Sequence, residues 1–344
     1  MTVYSTLQRT HRPSYVVKGG ERSRSYDVPE RIDSILSAIK ENGSGSVVAP
    51  SGVGLEPIGA VHDAGMIEYL ATAYAQHNAG RNISTPVFPT FFPPPGQRRR
   101  PSCFEGQKGF YCTNMGVPID MHTWEAAVAS AHCAVTGARY LRSGEPYVYA
   151  LCRPSGHHAG PDFFGGYCYL NNAAIAAQAL RESDERVCIL DIDYHHGNGT
   201  QAIFCTDPDV WYGSLHIDPD IDYPFFAGYA DEVGAGMAKG TNWNVPLPRG
   251  ASQDQYLAAL EALLAHSVEF KPCWLIVSAG FDTYVHDPIG TFQVTTAGFY
   301  EIGRRIHDLD RPALVVQEGG YYVPDLGRNV VAFLSGLAGI LCIR

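Results

Sequence analysis

The sequence is most informative where it reads Val187-Cys188-Ile189-Leu190-Asp191-Ile192-Asp193-Tyr194-His195-His196-Gly197-Asn198-Gly199-Thr200. Its first four residues are all apolar, as in a β-strand that is buried on both faces of a sheet. Carboxylate and imidazole side chains follow as soon as this apolar run ends. The stretch therefore predicts a buried strand that delivers chemically active side chains at its carboxyl end.

Other apolar runs in the chain have the same form. The predicted strands span Tyr147 to Cys152, Val187 to Leu190, Val210 to Leu215, Trp274 to Ser278 and Ala313 to Val316. The first run is followed by the pair His157 and His158. The fourth is followed by Asp282, and the last leads to Tyr321. Polar chemistry is thus expected at one edge of a sheet.

Helical stretches lie between and before these strands. They are predicted over Pro29 to Asn42, Asn172 to Glu182, Gln253 to Phe270 and Thr296 to Leu309. Strands alternating with helices predict an α/β fold, with a central, mostly parallel sheet and helices on both faces. We expect a single domain over residues 1–344. Ligands bind outside the carboxyl ends of the strands in such sheets, so the active site is expected there.

Bulk properties narrow the class of partner. The net charge of −10 argues against nucleic acid and suits a small cationic ligand. No apolar run approaches the ~18 residues of a membrane span, and the first residues lack a secretory signal, so we expect a cytoplasmic protein without membrane contact. The nine cysteines form no Cys-x-x-Cys pair, and we interpret them as reduced thiols.

One segment, Asn82 to Cys112, shows neither helical nor strand periodicity. A long irregular segment inside a compact domain is usually functional or disordered. Its five phenylalanines argue against a solvated linker, because such side chains are costly to leave in water. We expect this inserted loop to pack near the site or against a second subunit.

Asp193 and His195 lie two residues apart, so on extended backbone both side chains project to the same side. Asp282, from another strand end, can supply a third metal ligand. Two carboxylates and one imidazole leave a fourth position open for water, as in a catalytic zinc site. Fe²⁺ or Co²⁺ would also fit, because ligand type alone does not decide among these ions.

The His157 and His158 pair is expected to face this metal, where one imidazole takes a proton from water and the other protonates a leaving amine. Asp191 and Asn198 are candidates to fix the two imidazole tautomers. Alternatively, Asp191 holds a monovalent cation. Tyr321 follows two glycines, and its hydroxyl can donate to the oxyanion of a tetrahedral intermediate.

At these residues the sequence resembles the histone deacetylase superfamily, which has an arginase-like α/β fold, and within it most closely the bacterial acetylpolyamine amidohydrolases. The resemblance runs nearly end to end. It rests on Val61 to Gly65, Cys152 to Gly160, Phe164 to Cys168, Asn171 to Ala173, Asp191 to Gln201, Ser214 to His216, Asp282, Asp287-Pro288 and Glu318 to Tyr321.

The resemblance implies specific roles for these residues. Asp193, His195 and Asp282 would bind zinc, His157 and His158 would be the acid/base pair, and Tyr321 would polarise the substrate carbonyl. A structural potassium ion would be held near the zinc by Asp191, Ser214 and Leu215 together with Asp193 and His195.

For the substrate, the resemblance implies a narrow tunnel. Gly166, Tyr167, Phe225 and Ile289 would line it, and the insertion at about 82–112 would narrow it across a homodimer. Glu105 matches an acidic residue that faces the distal ammonium of the substrate. Gly116 stands where a related enzyme has a second glutamate, which favours short acetylated diamines such as acetylputrescine or acetylcadaverine.

We therefore expect a zinc amidohydrolase that releases acetate from small acetylated amines. The main alternative is a protein or peptide lysine deacetylase. A manganese ureohydrolase is disfavoured, because Asn198 stands where a second metal would want a carboxylate. A non-catalytic protein that binds acetylated ligands is the remaining hypothesis.

Overall fold

The computed structural model describes residues 1–94, 96, 99–181 and 185–340. Its strands are β1 (Thr2–Val3), β2 (Val16–Lys18), β3 (Glu21–Ser23), β4 (Val47–Val48), β5 (Tyr147–Ala150), β6 (Val187–Asp191), β7 (Val210–Ile217), β8 (Asn242–Leu247), β9 (Trp274–Ala279) and β10 (Ala313–Gln317). Its α-helices are α1 (Glu30–Asn42), α2 (Glu56–Gly59), α3 (Ala64–Asn78), α4 (Phe104–Phe110), α5 (Thr123–Arg142), α6 (Asn172–Leu180), α7 (Asn198–Phe204), α8 (Gln253–Glu269), α9 (Thr296–His307) and α10 (Val323–Leu337).

Eight strands form one sheet in the order β4-β1-β5-β10-β9-β6-β7-β8, and every neighbouring pair is parallel. In its centre Asp191 pairs with Ser214 of β7 on one side and with Ser278 of β9 on the other. The strands β2 and β3 form a separate antiparallel hairpin. The predicted parallel α/β sheet is confirmed, and the carboxyl ends of its strands share one edge.

Helices cover both faces of this sheet, as the alternation of side chains shows. In β6, Val187 and Ile189 belong to the core that includes residues of α5, α6 and α7, whereas Cys188 and Leu190 belong to the core that includes residues of α1, α8, α9 and α10. All four side chains are fully buried. Because neither face of such a strand meets water, polar side chains are disfavoured on both faces, and the strand is continuously apolar.

The element boundaries differ from the prediction by a few residues. Pro29 precedes α1 instead of opening it, while Gly43, with φ of 64°, ends it as expected. The helix predicted from Asn172 ends at Leu180, and Glu182 lies outside the described residues. The helix α9 stops at His307, with Asp308 as its C-cap, two residues before Leu309.

The strand and helix ends differ in the same way. β5 stops at Ala150, before Cys152, because the chain leaves the sheet there to form the loop that carries the two histidines. β7 runs on to Ile217, because its pairing with β8 continues that far. The helix α8 ends at Glu269, one residue before Phe270, which is its C-cap. Cap geometry and pairing partners, which a sequence does not display, set these ends.

The expectation that Asn82 to Cys112 lacks regular structure is wrong in one part, since it contains α4. This helix is only seven residues long, which is too short for a helical period to be recognised in the sequence. The helix packs closely against the earlier part of the insertion, since a side chain at Gly109 would collide with the Phe91 carbonyl. Phe104 packs at 6.1 Å from the Tyr69 ring, yet Phe91 is 71% exposed. Pro95 and Arg98 of this segment lie outside the described residues.

The end of the insertion pairs with the loop that follows the two histidines. The N–H of Phe164 donates to the Tyr111 carbonyl at 2.8 Å, and that of Thr113 donates to the Phe164 carbonyl at 2.9 Å. Phe164 directly precedes Gly165-Gly166-Tyr167, so the insertion ends beside residues expected to line the site. In the part of the chain that the structure describes, no helix combines the length and apolarity needed to cross a membrane.

Candidate active site

The three predicted metal ligands converge at the carboxyl edge of the sheet. Donor atoms of Asp193, His195 and Asp282 all lie within 4.8 Å of one another. Nδ1 of His195 is 3.2 Å from Oδ1 of Asp193 and 3.1 Å from Oδ2 of Asp282. All three residues are buried. Two residues after β6 and one after β9 thus meet because these strands are neighbours.

Backbone N–H groups hold these carboxylates in place. Asp193 accepts the N–H of His195 at 2.9 Å through Oδ1 and that of Gly319 at 2.8 Å through Oδ2. Asp282 accepts the N–H of Tyr194 at 2.9 Å. The loops after β6, β9 and β10 are therefore connected through the ligands themselves.

The charges of this group fit a divalent cation. Burial, followed by the neighbouring Asp193 carboxylate, raises the pKa of Asp282 to about 7. Two carboxylates held this close in a buried site repel one another, and a bound cation offsets that cost. Two carboxylate oxygens and one imidazole nitrogen also match the donor set of a catalytic zinc site with an open position.

The two histidines after β5 have different partners. Nδ1 of His157 lies 3.1 Å from Oδ2 of Asp191, and Nδ1 of His158 lies 2.7 Å from Oδ1 of Asn198. Both acceptors lack a proton to donate, so each Nδ1 carries the hydrogen and Nε2 is left for the site. The ring centroids of the two histidines are 4.0 Å apart. Asp191 and Asn198 thus occupy the orienting positions expected from the sequence.

The surroundings of the two histidines shift their pKa values in opposite directions. Burial opposes protonation of His157, but the Asp193 and Asp191 carboxylates outweigh it and raise its pKa to about 10. Burial, reinforced by the neighbouring His157 and His195, lowers the pKa of His158 well below its usual value. Two neighbouring groups with pKa values pushed apart are suited to separate acid and base roles.

Tyr321 is the third of the predicted catalytic residues, after the two histidines. Its backbone N–H donates to Oδ2 of Asp287 at 2.7 Å, and the guanidinium of Arg31 lies 4.9 Å from its ring centroid. Arg31 also donates to the Gly320 carbonyl at 2.7 Å. Burial raises the pKa of the Tyr321 phenol well above 10, so the hydroxyl remains a hydrogen-bond donor. The ring of Tyr167 lies 5.8 Å away.

The residues assigned to a potassium site have other partners as well. Besides His157, Oδ2 of Asp191 accepts the Tyr212 hydroxyl at 3.0 Å. The hydroxyl of Ser214 lies 2.7 Å from Nδ1 of His216. Leu215 is fully buried. Asp191 therefore orients a histidine, and a role in binding a cation stays a prediction.

Three of the four predicted tunnel residues, Gly166, Tyr167 and Ile289, have contacts that place them beside this group. Gly166 has φ of 55°, and a side chain there would collide with the His158 ring. Tyr167 and Phe225 also have positive φ, of 65° and 64°, and Phe225 is 44% exposed. The N–H of Ile289 donates to Asp287, which also holds Tyr321.

Glu105 does not contact the catalytic group among the described contacts. Its side chain is 63% exposed and pairs with Nζ of Lys108 at 2.7 Å on α4. Gly116 lies closer to the site, because its N–H donates to Asn114, whose amide in turn donates to the Tyr223 hydroxyl at 3.1 Å. The single chain thus supports a site location for the Gly116 segment and not for Glu105.

Three residues of the site went unpredicted. Tyr223 packs edge-on to His158 at 4.8 Å and near His195 at 6.1 Å. Arg31 and Asp287 hold the Tyr321 segment. Arg31 lies in an amphipathic helix far away in sequence, and nothing local marked it. Asp287 precedes a proline in one of the quoted motifs, which was the one available signal.

The fold and this group of acid/base side chains define a hydrolase built on a parallel α/β sheet. A family model described as the histone deacetylase domain matches residues 25–337. The chain therefore belongs to the histone deacetylase family, and it is a hydrolase of that family.

Individual proteins of similar sequence and structure point to the same family. Acetylpolyamine amidohydrolase 1 of Pseudomonas aeruginosa is 41% identical over 345 residues, covering 98% of this chain and 99% of that protein. Acetylpolyamine amidohydrolase of Mycoplana ramosa is 44% identical over 342 residues, covering 98% and 99%. The crystal structure of acetylpolyamine aminohydrolase from Burkholderia pseudomallei superposes with a TM-score of 0.94 at 38% identity, covering 98% of both chains.

Proposed function

We propose that the protein is a zinc-dependent amidohydrolase that removes the acetyl group from small acetylated amines, releasing acetate. The observation that carries this proposal is the convergence of Asp193, His195 and Asp282 beside two oriented histidines and a buried phenol. The relatives named as acetylpolyamine amidohydrolases support the substrate class.

Each side chain has a role in this reaction. A divalent ion bound by Asp193, His195 and Asp282 would polarise the acetyl carbonyl and make water more acidic. His158, neutral and with Nε2 free, takes a proton from the attacking water. His157, kept protonated by its carboxylate neighbours, donates a proton to the leaving nitrogen as the C–N bond breaks. The Tyr321 hydroxyl donates to the carbonyl oxygen as negative charge develops there.

We further propose short acetylated diamines, such as acetylputrescine and acetylcadaverine, as the preferred substrates. The net charge of −10 favours a cationic substrate, and Gly116 supplies no carboxylate for additional ammonium groups. The insertion at about 82–112 would narrow the entrance across a homodimer. A structural potassium ion near Asp191, Ser214 and Leu215 and a cytoplasmic location complete the proposal.

Acetyl-lysine in peptides is the second candidate substrate. One observation favours it: in the single chain Glu105 is exposed and paired with Lys108, so it does not line the catalytic group. A ureohydrolase with a second metal is not supported, because Asn198 engages His158. Binding without turnover would not require two histidines oriented beside the three candidate metal ligands.

The test is acetate release by the zinc-loaded protein from acetylputrescine, acetylcadaverine, acetylspermidine and an acetyl-lysine peptide, side by side. Faster turnover of the two diamines supports the proposal. Faster turnover of the acetyl-lysine peptide would instead identify the protein as a peptide deacetylase. Absence of acetate release from all four substrates would overturn the proposal that the protein is an amidohydrolase. Light scattering before and after deletion of residues 82–112 tests the homodimer.

A further inference from the structure

Glu318, in the segment that leads to Tyr321, contacts the loop that carries the two histidines. It follows β10 and is fully buried. Its Oε2 atom accepts the backbone N–H of Gly156 at 2.7 Å and that of His157 at 3.2 Å. Its Oε1 atom accepts a 3.4 Å hydrogen bond from the hydroxyl of Ser278 in β9. One side chain thus ties together three neighbouring strands at their carboxyl edge.

The backbone around Glu318 is anchored as well. Nη2 of Arg31 donates to the Glu318 carbonyl at 2.6 Å, and Nε donates to that of Gly320 at 2.7 Å. The N–H of Gly319 donates to Asp193 at 2.8 Å. The segment from Glu318 to Tyr321 is therefore fixed in position, and the histidine loop is positioned against it.

Glu318 also belongs to a group of possible metal ligands, because donor atoms of Glu318, His157 and Cys168 lie within 4.8 Å of one another. The contacts argue against an ion there. Oε2 of Glu318 already accepts two N–H groups, Nδ1 of His157 faces Asp191, and Nε2 of His157 lies towards Asp193, 3.7 Å from its Oδ1. Burial raises the pKa of the Cys168 thiol well above its usual value, which disfavours the thiolate that a metal would need.

We propose that Glu318 is a positioning residue that holds His157 and His158 in register with Tyr321, an inference that rests on the function proposed above. Hydrogen bonds from the backbone N–H groups of two consecutive residues fix both the place and the orientation of the histidine loop. Glutamine is a conservative replacement, because its amide oxygen accepts the same two N–H groups and its amide nitrogen can donate to Ser278. Alanine removes all three hydrogen bonds.

The experiment is steady-state kinetics on whichever of the four acetylated substrates the zinc-loaded wild type turns over fastest. Glu318→Ala is expected to lower kcat on the order of 100-fold, as a misplacement of about 1 Å can. Its KM is expected to change by less than about twofold, because substrate contacts remain. Glu318→Gln is expected to retain kcat within about threefold. Asp63→Ala is the matched control, since Asp63 also accepts a backbone N–H, that of Met66, but caps α3.

Wild-type kcat in Glu318→Ala would overturn the inference. Equal losses in Glu318→Gln and Glu318→Ala would overturn it too, because charge would then matter and not the hydrogen bonds. Zinc content and thermal midpoints are measured on each variant. If Glu318→Ala does not fold, Glu318→Asp replaces it, since a carboxylate withdrawn by one methylene is expected to lower kcat while Glu318→Gln does not. Absence of turnover by the wild type overturns the proposed function itself.

Discussion

Nδ1 of His158 lies 2.7 Å from the neutral amide oxygen of Asn198. The equivalent atom of His157 faces the Asp191 carboxylate instead, at 3.1 Å. Burial and the neighbouring histidines lower the pKa of His158, with no carboxylate partner at Nδ1 to oppose them, whereas the Asp193 and Asp191 carboxylates raise that of His157. This difference can be tested by changing the partner of His158.

Asn198→Asp places a negative charge against His158 and is expected to raise its pKa. A general base must be neutral, so the acid limb of the pH profile of kcat/KM is expected to move to higher pH, with lower activity at pH 7. The measurement is the full pH profile of wild type and variant. An unshifted acid limb would show that His158 is not the base.

Tyr321→Phe removes only the buried hydroxyl. We expect kcat to fall by about 10²- to 10³-fold, as for the loss of one oxyanion donor, with KM little changed. Tyr322→Phe is the control, because it removes a hydroxyl from the next residue, which is partly exposed. Equal kinetics of the two variants would contradict the role of Tyr321.

Removal of metal by a chelator is expected to abolish acetate release and lower the thermal midpoint, because Asp193 and Asp282 then lie close together uncompensated. Zinc at about 1,000 times its Kd should restore roughly 4 kcal/mol of stability. Calorimetry measures the thermal midpoints of the wild type and of Asp282→Asn across a zinc titration. A midpoint independent of zinc in the wild type would refute a metal at these residues.

Arg31→Met is expected to lower both stability and kcat. Arg31 is buried, pairs with Asp27 at 2.7 Å and donates to the carbonyls of Glu318 and Gly320. Asp27 keeps its pair with Arg153 at 2.8 Å, so the expected loss of stability is about 1–3 kcal/mol, that of a buried acceptor left without its donor. Arg12→Ala is the control, since its pair with Glu30 is exposed and such pairs contribute less than about 1 kcal/mol. Urea unfolding measures the free energy of unfolding of the two variants. Equal losses would contradict a stabilising role of the buried Arg31 contacts.

His62 is expected to make stability pH dependent. Burial lowers its pKa from 6.5 to about 4, and the hydrogen bond from Nδ1 to the Gly160 carbonyl offsets only part of this shift. Nε2 accepts the Asn171 N–H, a bond that is lost when the ring is protonated. The unfolded chain thus binds a proton more readily, and stability falls as pH drops from about 6.5 towards 4, by up to about 3 kcal/mol from this residue. Urea unfolding of wild type and His62→Gln at several pH values tests this. Identical pH slopes would refute it.

Much of the architecture could be predicted from the sequence. The apolar runs from Val187 and Ala313 predicted buried parallel strands, because strands covered on both faces tolerate no polar residues. The separation of Asp193 and His195 by one residue predicted a shared direction. Prediction failed for α4, whose seven residues and two glycines show no period, and for helix ends that depend on cap geometry.

The sequence by itself determined the parallel α/β sheet, the edge at which chemistry collects and the residue types that gather there, because apolar periodicity and strand-end motifs are local properties. Only the tertiary structure decided which partner each histidine has, and that Arg31 and Glu318 lock the Tyr321 segment. These contacts join residues separated by up to 289 positions. Sheet order, which sets such neighbours, arises from packing of the whole chain and leaves no local trace in the sequence.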